Sequence, residues 1–221
     1  MKIGSASWIK RGTYLDNSEA LEKRVDFVEL LIYTWDRDLE KILENELPRL
    51  RNLSLFYTVH LPLDNMENCQ KAYYFFKEKG FPVKSFTLHP LKGWERFIRE
   101  KRDVILENLI DVCVPFERMC LDIGHLTLSK KEDFLLHSSD LKIIKEFHIH
   151  GVVRHKDHCV LNVPMMNYVA GLKKRYPVVE SALARTGTLM NFEIFDLKKL
   201  LISLRRLKAN EISGSQTRQP L

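Results

Sequence analysis

The chain has 221 residues, a length that suits one α/β barrel and leaves no second hydrophobic region for another domain. Its 35 Lys and Arg residues are interleaved with 29 Asp and Glu residues, so the net charge of +6 does not indicate nucleic-acid binding. The sequence has no apolar run of about 18 residues and no basic, apolar leader, which predicts a cytoplasmic protein without a membrane partner. The four cysteines lack Cys-x-x-Cys spacing and are expected to be reduced thiols.

Eight apolar runs of strand length recur along the chain, with amphipathic stretches between them. In chain order they cover residues 2–8, 26–33, 55–61, 83–89, 103–108, 118–124, 146–152 and 190–195. Near-continuous apolar strands that alternate with helices predict a parallel sheet, and eight repeats in this length predict a closed (β/α)8 TIM barrel. The fifth repeat is the weakest, because only about ten residues follow its strand, room for one or two helical turns.

The barrel is predicted to occupy residues 1–208 as a single domain. Residues 209–221 show no periodic spacing of apolar residues and contain Ser, Gly, Gln and Pro. This composition predicts a flexible tail. His137 lies in a polar helical stretch and is expected to be solvated. The sequence leaves monomer and homodimer as equal alternatives.

Ionisable residues lie at or just beyond the ends of most of the apolar runs. His60, His89, Glu107 and Asp122 occupy the carboxyl ends of four runs, where barrel enzymes build their sites. A buried ionisable group must be satisfied by another such group, by water or by a cation. A lone histidine on a strand is more often a satisfied core residue, but the set as a whole predicts a metal centre.

Two further segments extend this pattern around the sixth and seventh runs. His148 and His150 are two residues apart in a strand and therefore point to one face, which in a barrel can be the interior. Asp122 begins an Asp-x-x-His motif, in which Gly124 is expected to allow a sharp bend that returns His125 over the strand.

The loop HKDH and the eighth run supply the last candidates. Asp157 and His158 lie in a loop that can close over a site, and His155 is expected to be a bystander. Glu193 lies in the eighth run.

The predicted ligands are imidazoles and carboxylates without cysteine, a set that suits Zn²⁺, Mn²⁺ or Fe²⁺. Nine groups exceed what one ion can bind, so two or three divalent ions are predicted. Closely spaced divalent ions lower the pKa of a bridging water and stabilise charge on a phosphoryl group, which makes phosphoester hydrolysis the leading chemistry. The nine residues are His60, His89, Glu107, Asp122, His125, His148, Asp157, His158 and Glu193.

Other residues near the strand ends allow two interpretations. Glu29, in the second run, is either a supporting or substrate-binding group of the site or a buried acid paired with Lys or Arg, with equal weight. The aromatic residues can stack on a planar ligand, although packing is favoured for each of them: Trp8, Tyr33, Trp35 and Trp94.

The order of the candidate ligands resembles that of the xylose-isomerase-like barrels that include endonuclease IV. In that family, histidines of strands three and four, a Glu-Asn on strand five, Asp-x-x-His, a strand-seven histidine, an Asp/His loop pair and a strand-eight Glu bind three zinc ions. This chain has each in turn, except that its loop pair is the adjacent Asp157-His158 instead of Asp-x-His. An abasic-site nuclease is disfavoured, because basic, aromatic DNA-inserting loops have no obvious counterpart.

A closer resemblance covers nearly the whole chain. The segments RVDFVELLIY, FYTVHLPLD, CLDIGHL, FHIHGV, KDHCVL and NFEIFDLKKLLISL are similar to those of the cobamide-remodelling phosphodiesterases, a small branch of the same superfamily. The resemblance implies a metal-dependent hydrolase with a corrinoid substrate. Such an enzyme cleaves the nucleotide-loop phosphodiester of cobamides to cobinamide phosphate and α-ribazole.

The resemblance also implies roles for the site residues. Hydroxide held on metal by Glu107, Asp122 and Glu193 would attack the phosphorus, and Glu107, His150 and Glu193 are the predicted catalytic residues. His150 would contact the phosphate or the leaving group. Independently of the resemblance, the position of Glu29 in the second run makes it the second substrate-binding candidate. Two other functions stay open: a sugar isomerase or epimerase, which uses the same barrel with usually one ion, and a non-catalytic corrinoid- or metal-binding protein.

Overall fold

Eight parallel strands close into a barrel in the computed structural model, which describes residues 1–136 and 143–215, with side chains up to residue 209. Strands β8 and β9 pair with each other outside the barrel, and β10 closes it by parallel pairing with β1. The predicted (β/α)8 TIM barrel is confirmed. The strands are β1 (Lys2–Ala6), β2 (Phe27–Leu31), β3 (Phe56–His60), β4 (Val83–Leu88), β5 (Val104–Glu107), β6 (Arg118–Asp122), β7 (Ile143–Ile149), β8 (Gly151–Val153), β9 (Lys156–Cys159) and β10 (Leu189–Phe192).

Helices lie between the strands along the chain. Several begin at side-chain caps: Thr13 and Asp16 form a capping box at α1, and Asp36, Asn65 and Asn162 accept backbone N–H groups at α2, α3 and α6. The helices are α1 (Tyr14–Leu21), α2 (Arg37–Leu50), α3 (Met66–Glu78), α4 (Trp94–Glu100), α5 (Ile123–Ser129), α6 (Val163–Arg175), α7 (Pro177–Ala184) and α8 (Leu197–Ser215), with a 3₁₀ helix at Glu132–Leu136.

Two connections differ from the sequence prediction. Residues 108–117, between β5 and β6, form no helix, so the expected one or two turns are absent there. The segment HKDH, predicted as a loop, is the turn and second strand of the β8–β9 hairpin. Arg154 and His155 form that turn in the left-handed region, at φ 49° and 65°. His155 is exposed at the tip of the hairpin, as expected for a bystander.

The chain end and the polar segment before β7 are only partly described. Helix α8 continues to Ser215, into the segment predicted as a tail, and residues 216–221 lie outside the described residues. His137 also lies outside them, so its solvation stays a prediction. Among the described residues, no helix is both long and apolar enough to cross a bilayer. All four cysteines are free thiols.

The barrel brings the ionisable residues to one end. His60, Glu107 and Asp122 are the last residues of β3, β5 and β6, and His89 and Glu193 follow β4 and β10 directly. Parallel strands place all their carboxyl ends at the same face of a barrel, which is where TIM-barrel sites form. Residues far apart in the sequence therefore converge there.

Candidate metal centre

All nine predicted ligands come together at the carboxyl end of the barrel. Overlapping groups of three or more ligand atoms, each group within 4.8 Å, include every one of them. Two of the groups each contain one residue outside the predicted ligand set. His150 lies with His158 and Glu193, and Cys120 lies with Glu107 and His148. Burial raises the pKa of the Cys120 thiol well above its usual value, which disfavours Cys120 as a thiolate.

Glu107 lies at the centre of this arrangement. Its Oε2 is 2.9 Å from Nε2 of His60 and 3.0 Å from Nε2 of His89, and its Oε1 is 2.9 Å from Nδ1 of His148. Burial opposes ionisation, but these imidazoles hold the pKa of Glu107 well below its usual range. Burial alone would lower the pKa of His60, but the carboxylates of Glu107, Glu29 and Glu193 together raise it to about 9. Glu107 therefore attracts His60 and His148 as a carboxylate facing imidazolium ions when no cation is present.

Three histidines are oriented by backbone carbonyl groups. Nδ1 of His60 lies 3.0 Å from the carbonyl oxygen of Leu61, Nδ1 of His125 lies 3.1 Å from that of Asn108, and Nδ1 of His158 lies 3.0 Å from that of Glu193. A neutral imidazole that donates from Nδ1 presents its Nε2 lone pair, and metal-binding histidines are commonly fixed in this way. The three side chains are therefore prepared to bind a cation through Nε2.

Asp122 has a dual position, as the end of β6 and the N-cap of α5. Its Oδ1 accepts a hydrogen bond from the backbone N–H of His125 at 2.6 Å, while its buried Oδ2 has no hydrogen-bond partner in the structure. A buried carboxylate oxygen without a donor is costly, and a cation would satisfy it. Asp122 thus fits a metal ligand.

Gly124 has a different role from the predicted one. It lies in the first turn of α5, and it is not among the glycines with positive φ, so no left-handed bend requires it. A β-carbon there would lie 1.8 Å from Cε1 of His150. Gly124 is therefore needed for space next to that imidazole.

His150 lies behind the pocket wall rather than within the pocket. Its side chain is 0% exposed, its Nδ1 accepts the backbone N–H of His158 at 2.9 Å, and its Nε2 is 3.4 Å from Oδ1 of Asp122. Burial alone would lower the pKa of His150, but Asp122 and Glu193 together raise it to about 9. His150 does not line the cavity, so its contact with a substrate phosphate stays a prediction. Its position beside His158 and Glu193 fits a ligand or a supporting residue instead.

Glu29 lies deeper in the barrel than the ligands. It is 0% exposed and accepts hydrogen bonds from Thr87 and Asn191, and its Oε1 is 3.4 Å from Nε2 of His148. These contacts fit the supporting interpretation, since a carboxylate near Nε2 favours binding of a metal through Nδ1 of His148. They do not fit an ion pair with Lys or Arg, and Glu29 does not line the pocket.

Two residues outside the predicted site residues also support the site. Asn108 donates from Nδ2 to the carbonyl oxygen of Asp122 and accepts the Asp122 N–H at Oδ1, at 3.0 and 2.8 Å. Glu146 lies two residues before His148 and shares its face of β7. Burial first, and Glu29 second, raise the pKa of Glu146 to about 8. Strand alternation was a signal for Glu146.

A cavity of about 200 Å³ opens onto these groups. This volume accommodates a phosphate and its immediate substituents, while a larger substrate would extend over the barrel rim. Six ionisable side chains and a mostly apolar remainder line it: His60, His89, Glu107, His125, His158 and Glu193, with Leu31, Ile32, Tyr33, Leu63 and Phe195.

No protein-family model and no curated protein matches the sequence. Solved structures match almost end to end. A D-tagatose 3-epimerase-like protein aligns with a TM-score of 0.68 at 15% identity, over 98% of this chain and 99% of that one.

Two other solved structures give similar alignments. A xylose isomerase domain containing protein from Salmonella typhimurium LT2 has a TM-score of 0.57 at 14% identity, with 96% of each chain covered. D-psicose 3-epimerase from Clostridium cellulolyticum H10, solved with D-tagatose, has a TM-score of 0.56 at 12% identity, over 96% of this chain and 99% of that one. The chain therefore has the xylose-isomerase-like TIM-barrel fold.

Proposed function

We propose that the chain is a divalent-metal-dependent phosphodiesterase that hydrolyses the nucleotide-loop phosphodiester of a cobamide. The observation that carries this proposal is the sharing of carboxylates between ligand groups. One oxygen of Glu107 faces His60 and His89 while the other faces His148. A carboxylate that faces ligands on both sides is suited to bridge two ions.

Glu193 gives a second shared carboxylate. Its Oε1 is 3.4 Å from Nδ1 of His148, and its Oε2 is 3.8 Å from Nδ1 of His158. Burial alone would raise the pKa of Glu193, but His148 and His158 together lower it to about 2. An ionised carboxylate at this position is a suitable ligand for a divalent cation.

The residues around the cavity provide the other requirements of hydrolysis. Divalent ions bound in this cluster would lower the pKa of water and offset the charge that develops on the phosphoryl oxygens. Leu31, Ile32 and Leu63 form an apolar wall that restricts bulk water around the reacting group. The Nδ1 contacts of His60 and His125 with carbonyl groups fix the ligand geometry before substrate binds.

The cobamide as substrate is supported by the segments that build this site. FYTVHLPLD contributes His60, CLDIGHL contributes Asp122 and His125, and FHIHGV contributes His148, and these segments resemble the cobamide-remodelling enzymes. The cavity admits the phosphodiester, so the corrin ring and the nucleoside base would lie on the barrel rim.

The test is product analysis with purified protein of known metal content. Adenosylcobalamin and methylcobalamin are incubated with the protein, and chromatography with mass detection follows α-ribazole and cobinamide phosphate. Both products are expected, and a chelator should abolish them. His155→Ala, at the exposed hairpin tip, is the matched control for variants of the buried histidines and should retain activity. Absence of product from metal-loaded protein would reject the proposal.

A sugar epimerase is the second candidate, and one observation favours it. Glu107, Asp122, His148 and Glu193 lie within 4.8 Å of one another, and two Glu, an Asp and a His are the ligand set expected for the single ion of that class. The structures named as epimerases share the fold. This alternative predicts one bound ion per chain and turnover of a keto-sugar. Two or three ions per chain and no keto-sugar turnover would exclude it.

A further inference from the structure

A second cavity, of about 670 Å³, adjoins the metal centre beyond the end of β1. The ring of Phe195 lines both cavities and lies 4.6 Å from the ring of His158, measured between centroids. Trp8 lines the second cavity and Tyr33 lines the first, and their ring centroids are 4.6 Å apart. Trp8, Tyr33 and Phe195 therefore connect the two cavities, and we refer to them as the aromatic junction.

Packing does not explain Trp8. Trp35 and Trp94 are 8% and 9% exposed, as expected for core aromatics, whereas Trp8 is 46% exposed and Tyr33 is 38% exposed. Leaving such rings in water forgoes the free energy of burying them. An exposed aromatic pair beside a candidate catalytic cavity is suited to contact a ligand.

The backbone beside Trp8 is held in place. Oδ1 of Asn17 accepts the backbone N–H groups of Ile9 and Lys10, at 3.1 and 3.0 Å. The ring of Trp8 also packs against that of Tyr33, with 4.6 Å between the centroids. The loop that carries the indole is therefore ordered before any ligand binds, which reduces the entropic cost of stacking.

We propose that the second cavity binds the planar base of the nucleoside leaving group, stacked on Trp8, while the phosphodiester lies at the metal centre. This inference rests on the proposed phosphodiesterase function and assigns its leaving-group subsite. A volume of about 670 Å³ is ample for a nucleoside. Base stacking on an aromatic side chain depends little on base identity, because every base presents a π-face.

Charge on the cavity wall agrees with this occupant. Lys10 and Arg11 line the second cavity and are exposed. Positive charge at this position favours a nucleoside that is attached to an anionic phosphodiester. Asp196, on the same wall, accepts a hydrogen bond from the backbone N–H of Lys199 at the start of α8, so its carboxylate already has a partner within the protein.

The test is binding of free α-ribazole to the metal-loaded protein, measured by isothermal titration calorimetry. Trp8→Ala should raise the dissociation constant about tenfold or more, because it removes the stacking surface. Trp8→Phe keeps an aromatic ring and should stay close to wild type. Tyr74→Ala removes a similarly exposed aromatic (44%) from α3, lining a different cavity, and should have no effect.

The same variants separate the subsite from the reaction. In cobamide turnover Trp8→Ala should raise KM while kcat is retained. Binding of α-ribazole needs no turnover, so wild type that binds it through Trp8 but cleaves no cobamide would uphold the subsite and reject the reaction. Equal affinity of Trp8→Ala and wild type, or no binding to wild type, would overturn the subsite even if turnover is observed.

Discussion

Gly124 and His150 pack so closely that a β-carbon on Gly124 would lie 1.8 Å from Cε1 of the imidazole. Nε2 of His150 is in turn 3.4 Å from Oδ1 of Asp122, and Nδ1 of His150 accepts a hydrogen bond from the backbone N–H of His158. A change at Gly124 therefore reaches two candidate metal ligands through one ring. The glycine has this effect without presenting any functional group of its own.

Gly124→Ala is expected to displace His150 and reduce the amount of metal bound. Overpacking of this kind costs about 1–3 kcal/mol of folding stability. Gly171→Ala is the matched control, because a β-carbon there meets only the end of Arg175 at 4.0 Å, in the interior of α6. That control should leave metal content unchanged and stabilise slightly. Denaturant unfolding and metal analysis measure both effects, and normal metal content in Gly124→Ala would contradict the expectation.

Glu107→Gln is expected to lower metal affinity and turnover by at least about 100-fold, because it removes the carboxylate that faces three imidazoles. The change keeps the side-chain volume, so the barrel should still fold. Glu100→Gln, which changes an exposed residue at the end of α4, is the control and should behave as wild type. Metal content after dialysis, followed by cobamide turnover, gives the answer. A Glu107→Gln protein with full metal content and activity would remove Glu107 from the site.

Asn108→Ala should weaken metal binding without removing a ligand. The amide bonds both the N–H and the carbonyl of Asp122, and its loss removes both hydrogen bonds, at about 1–3 kcal/mol. Loss of a residue that orients a ligand typically costs about 10–100-fold in metal affinity. Competition with a chelator measures this change. Asn68→Ala, whose amide contacts Asp64 at the surface, is the control, and an equal effect in both variants would argue against the positioning role.

The strand ends made most of the site predictable. His60, Glu107 and Asp122 each end an apolar run, and parallel pairing then places them together whatever the details of the loops. This placement follows without knowing which strands pair with the strand that carries His148. Strand alternation predicted only that His148 and His150 share one face, and in the structure both side chains are buried.

The parts that sequence reasoning missed depend on contacts across the barrel. The burial of His150 requires the hairpin to fold back so that the His158 N–H meets its ring. The pairing of Asn108 with Asp122 depends on how the end of β5 lies against that of β6. The exposure of Trp8 depends on what packs beside it, since Trp35 and Trp94 occupy similar places in the sequence pattern but are buried.

The metal-free protein is expected to lose stability as the pH rises from 6.5 to about 9. The pKa of His60 is raised in the folded state from 6.5 to about 9, so its ion pairs stabilise fully below pH 6.5 and weaken as the pH approaches 9. The pKa of Glu193 is lowered from 4.5 to about 2, so its contribution is complete above pH 4.5 and is lost as the pH falls towards 2.

Bound metal should reverse this loss of stability between pH 6.5 and about 9. Binding requires deprotonated imidazoles and therefore releases protons, so affinity increases as the pH rises through the same window. The difference in Tm between metal-loaded and chelator-treated protein is expected to widen from pH 6.5 to 9. Thermal melts at intervals across this window, with and without the ion, test both statements. A metal-free protein that becomes more stable between pH 6.5 and 9 would show that the histidine and carboxylate pairs do not contribute in this way.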